Sequence, residues 1–173
     1  PILQQEPQHS SAAKRISTLF TREHYKLIKL DDSLSEKVYD RYLKSLDGNR
    51  NIFLASDIAE FNKHRDEFDE AILRGNLQVA YDMLNRNLEL RISRYEYALT
   101  LLDGEFNFEK EGDKFYYDRE EAAWPVDQAE LDELWRQRVK YDALNLKLAG
   151  KEQDKIKELL TKRYERAIKR LKQ

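Results

Sequence analysis

The chain contains no cysteine. Structural disulfides, thiol nucleophiles and thiolate metal sites are therefore excluded. That absence suits the cytoplasm and equally suits an exported protein that does without disulfides. Glycine and proline are scarce, five and three among 173 residues, which argues against a loop-rich or low-complexity chain. Gly104, Gly112 and Gly150 stand alone as turn residues rather than in a phosphate-cradling loop. No apolar run approaches the roughly 18 residues that a membrane-crossing helix requires. Neither sign of charge dominates. The net charge of −2 sets up no whole-molecule field towards nucleic acid or an acidic membrane. Residues 1–9 lack an initiating Met and the basic-then-apolar order of a signal peptide. They read as a trimmed start from which export is not legible.

What the chain has is charge and aromatic volume. Charged residues make up 37% and hydrophobic ones 40%, a mix that favours long helices with charged outer faces. Ten Tyr, seven Phe and two Trp supply core volume and argue against disorder. The length suits one domain with a real core.

The periodicity predicts a mostly α, single elongated multi-helix domain with one small β-hairpin. A loose start leads to a short helix beginning at Ser10 or Ser11 and carrying Ile16, Leu19 and Phe20. Leu34, Val38, Tyr42 and Leu46, with Tyr39 and Leu43 beside them, make one apolar face of a helix over 33–46. Ser33 with Glu36 gives a capping-box pattern, and Asp47-Gly48 is read as a left-handed helix exit. Ile52, Phe53 and Leu54 form an apolar loop expected to plug into a core. Ser56 is expected to cap a helix over 56–73, with Ile58, Phe61, Phe68 and Ile72 inward. After Gly75-Asn76, a helix over 77–102 carries a seam of Leu77, Tyr81, Leu84, Leu88, Ile92, Tyr95, Leu99 and Leu102. Phe106 and Phe108 alternate as in a strand, and with 114–118 across Glu111-Gly112-Asp113 they predict the hairpin. Asp127 is placed to cap a helix ending at Gly150, with Leu131, Leu134, Trp135, Val139 and Leu146 along one face. The last helix starts near Glu152 and turns Ile156, Leu159, Leu160, Tyr164, Ile168 and Leu171 inward. No Gly or Pro follows Leu171, so this helix is expected to be cut off mid-pattern at an imposed boundary. No repeat of 33 to 47 residues supports a solenoid.

Several stretches together carry a family resemblance. Asp40-Arg41-Tyr42-Leu43, Leu46-Asp47, Phe53-Leu54, Ser56-Asp57-Ile58 and Phe61 resemble the N-terminal domain of the bacterial tail-specific, or carboxyl-terminal processing, protease. Thr21-Arg22-Glu23-His24-Tyr25-Lys26 is similar to that family's entry segment. Trp124-Pro125, Leu134-Trp135, Lys140, Asp142, Leu146-Lys147-Leu148-Ala149-Gly150-Lys151, Leu160-Thr161-Lys162-Arg163-Tyr164 and Arg170-Leu171 continue the likeness. It covers about 21–171 and rests on many ordinary residues in order, none of them a catalytic signature. The resemblance implies a loose segment and short helix over 1–20, and a helical N-terminal domain over 21–173. It implies a parent chain in which a PDZ domain and a Ser–Lys protease domain follow, acting in the periplasm on proteins with apolar C-terminal tails. It implies a role in framing substrate entry, positioning those domains or docking an adaptor.

The residues themselves assign no chemistry. Ser10, Ser11, Ser17, Ser33 and Ser45 lie in polar, cap-like or helix-surface contexts, Ser56 reads as a cap and Ser93 sits in a charged turn. No G-x-S-x-G elbow exists, and a Ser–Lys pair needs a buried Lys beside the Ser. No catalytic residue is assigned, and the fragment is expected not to be an enzyme. No metal or cofactor site is assigned either. His9, His24 and His64 are scattered, and Glu60, His64 and Glu67 read as a charged helix face. Asp103 with Glu105, and Glu120-Glu121, carry no glycosidase geometry. The basic end, Lys162, Arg163, Arg166, Lys169, Arg170 and Lys172, reads as a favourable helix C-terminus rather than a nucleic-acid contact. Of the aromatics Tyr95, Tyr97, Phe115, Tyr116, Tyr117 and Trp124, the group 115–117 is the expected surface patch. A stand-alone helical interaction module, using the seam over 77–102, is the alternative function.

Overall fold

The computed structural model describes residues 32–104 and 118–173, with backbone alone at 32, 33, 70, 72 and 73. Among the described residues there are six helices and no strand. They are α1 Asp32–Asp47, α2 Ala55–Asn62, α3 Phe68–Arg74, α4 Gln78–Leu101, α5 Gln128–Leu148 and α6 Gln153–Lys172. The mostly helical class is therefore as the periodicity implies. The expected short helix within 1–20 lies outside the described residues, and so does the hairpin, but for Asp118. The chain forms two compact units. Of the described residues, one holds 32–48 together with Ala55–Asn87, and the other holds Asn49–Leu54, 88–104 and 118–173.

In the first unit, α1 packs on α3. Val38, Tyr39, Tyr42 and Leu46 of α1 are at most 2% exposed; Tyr39 and Tyr42 meet the Phe68 ring, and Tyr81, Met83 and Leu84 are buried in the same unit. The four-residue spacing on α1 is what puts these groups on one face. The phenols are buried with partners: Tyr42 donates to the Ala80 carbonyl at 2.5 Å and Tyr39 to Asn62 Oδ1 at 2.8 Å. The expected single helix over 56–73 is two helices. Between them Lys63, His64 and Arg65 donate to carbonyls three residues back, at 3.0 to 3.3 Å. The cause is remote. Ser35, fully buried on α1, accepts from the Phe68 and Asp69 N–H groups at 2.6 and 3.1 Å and donates to the Arg65 carbonyl at 3.0 Å. Glu67, at the cap position of α3, makes no capping bond of its own, so Ser35 supplies that cap from another element.

Other local expectations are corrected. Ser33 and Ser56 lie inside α1 and α2, which begin at Asp32 and Ala55, rather than at their caps. Gly48 is not left-handed. A Cβ there would lie 3.1 Å from the Lys44 carbonyl oxygen, so close backbone approach is what calls for glycine. The left-handed residue of this turn is Arg50, at φ 51°.

In the second unit, α5 packs on α6. Leu131, Trp135, Val139 and Ala143 meet Ile156, Leu160 and Tyr164, none of them more than 1% exposed. At roughly 1.5–3 kcal/mol for each large apolar side chain taken from water, this seam is a main source of the unit's stability. Asp127 caps α5 as expected, accepting from the Glu130 N–H at 2.9 Å, while Glu130 accepts from the Val126 N–H at 2.7 Å. The helix ends in a Schellman turn: Lys151 N–H donates to Leu146 O, Gly150 N–H to Lys147 O, and Gly150 is left-handed at φ 88°. Ile52 and Phe53 plug into this core, at 1% and 0% exposure, as the apolar loop implies.

The expected seam of α4 holds at Tyr81, Leu84 and Leu102, which are buried, and is displaced between them. Leu88, Ile92, Tyr95 and Leu99 are half-buried, whereas Asn87, Leu90, Arg94 and Ala98 are buried. Counting only large apolar residues skips Asn87 and Arg94. Both are buried because their polar ends are bonded: Asn87 donates to Leu46 O at 3.0 Å, and Arg94 pairs with Asp132.

Candidate functional site

Among the described residues, the side chains that could carry chemistry are bonded to neighbours or simply exposed. Ser45 donates to the Tyr42 carbonyl at 2.6 Å, and Ser93 is exposed on α4. Ser10, Ser11 and Ser17 lie outside the described residues, as do His9 and His24. Sequence reasoning passed over Ser35, whose hydroxyl is the most heavily used. The only signal for it was a small polar residue on the apolar face of α1, next to Leu34 and Val38.

The charged face around His64 resolves into neighbour pairs. Glu60 binds Lys63 at 2.9 Å, and that ammonium holds its carboxyl below the usual range. His64 Nδ1 lies 2.7 Å from Glu67. Among the described residues no three His, Asp or Glu side chains converge as a metal would require. Asp103, Glu120 and Glu121 are exposed.

Beside this face is a cleft of about 200 Å³ in the first unit. Glu67, Phe68, Ala71 and Arg74 line it from α3 and its cap, and Asn76, Leu77, Val79 and Ala80 from the next turn and α4. Glu67, Ala71 and Arg74 share a wall because they fall at helical spacing. The small Ala71 leaves the space between the two charges.

Of the aromatics weighed as a surface patch, those outside 115–117 are packed, as expected of core residues. Tyr95 meets Trp135 edge-on at 5.2 Å and Tyr164 at 5.9 Å. Arg138 lies over Trp135 at 4.4 Å. Tyr97 lies beneath Arg94 at 5.1 Å, and burial pushes its phenol up. Trp124 sits against Phe53 at 6.5 Å with Arg50 over its ring at 5.1 Å. Residues 115–117 lie outside the described residues. Tyr164 donates to Asp142 at 2.7 Å, and burial followed by that carboxylate raises its pKa.

A six-residue loop, Asn49–Leu54, is tied into the second unit by hydrogen bonds that reach far along the chain. Trp135 Nε1 donates to Asn51 O at 2.8 Å, Arg50 donates to Ala122 O at 2.8 Å, and Arg119 donates to Asn49 O at 3.2 Å. This net explains why a non-glycine residue tolerates the left-handed backbone at position 50.

The basic end of α6 takes the outward face, opposite Ile156, Leu160 and Tyr164. Lys162 pairs with Glu158 at 3.0 Å, and Arg163 lies 3.8 Å from Asp142. No described helix is long and apolar enough to cross a membrane.

Comparison with known proteins gives these features a context. The family model described as "Tail specific protease N-terminal domain" matches residues 16–173. The Tail-specific protease of Haemophilus influenzae (strain Rd) is 46% identical over 174 aligned residues. The alignment takes in 100% of this chain, which spans 25% of that relative's length.

Proposed function

Because the chain belongs to the tail-specific protease N-terminal domain family, we propose that it serves as the non-catalytic domain of a periplasmic Ser–Lys endopeptidase. In this reading the domain frames substrate entry, positions PDZ and protease domains of the same parent chain, or docks an adaptor. Proteins with apolar C-terminal tails are the substrates. The observation that carries it is the extent of the match: residues 16–173 fit a domain model named for its N-terminal place, and the aligned relative is about four times as long. Described helices whose aromatics are packed and whose charges form several neighbour pairs suit a scaffold that holds other parts without doing chemistry.

The first test is the intact mass of the native protein in its source, read with an antibody against these residues. A product several times larger than 20.7 kDa, in the envelope fraction, is expected. A product near that mass overturns the reading and leaves a free-standing helical module. The second test compares the purified 173-residue chain with the full-length protein on a peptide ending in apolar residues. Cleavage by the full-length protein alone is expected, and cleavage by the short chain counts against a non-catalytic role.

A further inference from the structure

The segment from Ala55 to Arg74 is written as one helix and held as two. It contains no Gly or Pro before position 75, and Ile58, Phe61, Arg65, Phe68 and Ile72 keep helical spacing straight across the break. Lys63, His64, Arg65, Asp66 and Glu67 are each tolerated in a helix interior. Nothing local stops the helix at Asn62.

What stops it comes from α1. Ser35 takes the Phe68 and Asp69 N–H groups and gives its hydroxyl proton to the Arg65 carbonyl. In a continuous helix those two N–H groups would bond to the carbonyls of His64 and Arg65. One turn along α1, Tyr39 holds the Asn62 side chain at 2.8 Å and lies under the Arg65 guanidinium at 5.9 Å. Asp40 pairs with Arg65 at 2.9 Å. Three α1 residues, at i, i+4 and i+5, thus grip both sides of the break. Among the described residues the N–H of Asp66, inside it, has no acceptor, although a continuous helix would give it the Asn62 carbonyl.

We propose that α1 is a latch on a two-state element. With Ser35, Tyr39 and Asp40 engaged, 55–74 is a helix–turn–helix; with the latch released, it joins into one helix through Asp66. The conflict between a local pattern and the observed turn is the mark of a segment poised between two arrangements. The broken state is the one in which Glu67 and Phe68 line the cleft with Asn76 and Leu77. Release of the latch therefore changes the shape of that surface.

The test is residue-resolved amide exchange and Cα chemical shifts on the labelled 173-residue chain, wild type against Ser35→Ala. In the wild type, the Asp66 amide exchanges freely and helical shifts stop at Asn62. In Ser35→Ala, the Asp66 amide gains protection of about tenfold or more and helical shifts run through 62–69, while Met83 and Leu84 in α4 stay protected. If instead Phe68 and Asp69 lose protection and Asp66 gains none, Ser35 is a cap and the latch is overturned. Should Ser35→Ala lose protection in α4 as well, Asp40→Asn, which weakens only the exposed ion pair, decides by the same Asp66 readout. Gain there supports the latch and no gain overturns it.

Discussion

Arg94 is 3% exposed and meets one carboxylate, Asp132, which also accepts from Gln128 at 3.0 Å. Its Nε has no partner. A buried cation is tolerable only while its counter-charge is present. Asp132→Ala is therefore expected to cost about 2–3 kcal/mol, below the usual range for a buried pair because Asp132 is partly solvated. Arg94→Met combined with Asp132→Leu should recover most of that loss, since it removes both charges from the interior. Urea unfolding of the two variants checks this, and equal destabilisation would count against the pair as the cause. These positions were hard to see in the sequence for one reason. Arg94 and Asn87 look like surface residues until the groups that satisfy them, Asp132 and the Leu46 carbonyl, are known, and those lie 38 and 41 residues away.

The elements divide by how far away their determinants lie. Helix α5 is legible because its signals are local. Asp127 and Glu130 sit three apart at its start, Gly150 follows its end, and Leu131, Trp135 and Val139 are spaced on one face. Asp127→Ala should cost about 1 kcal/mol, the usual worth of such a cap. Gly150→Ala should cost about 1 kcal/mol, because φ 88° suits glycine alone. Thermal unfolding reads both, and a Gly150→Asn variant should lose less than Gly150→Ala. The boundary between α2 and α3 is illegible for the opposite reason, since its cap comes from Ser35, 33 residues earlier. Apolar pattern locates what is buried; it does not say which remote hydroxyl will end a helix. The same holds for function. The order of many ordinary residues points to the family, yet no local motif marks a reacting group, and the cleft beside Ala71 is made by an absence of side chain that no pattern announces.

At the scale of the molecule, buried phenols are expected to set the alkaline limit. Burial pushes Tyr39 up to about 12 and also raises Tyr164. A phenol whose pKa is higher folded than unfolded holds its proton better in the native state. Its contribution is complete below the unfolded value, near 10, and is lost as pH rises through the folded value. Urea midpoints should therefore stay level up to about pH 10 and fall between about 10 and 12 by the equivalent of roughly 2 kcal/mol for Tyr39. Tyr39→Phe should flatten part of that fall, at about 1 kcal/mol below pH 10 for its lost bond to Asn62. An unchanged slope in Tyr39→Phe would show that another group controls the alkaline limit.

The loop Asn49–Leu54 has a consequence during synthesis. The groups that receive it, Ala122 and Trp135, lie 72 and 84 residues downstream of Arg50 and Asn51. At about 5–20 residues per second, Ile52 and Phe53 are synthesised roughly 4–17 s before Trp135. For that interval the nascent chain carries an apolar pair with no seat. A photo-crosslinker at position 53 should capture ribosome-associated holdases in chains stalled before residue 119 and lose them once Trp135 has emerged.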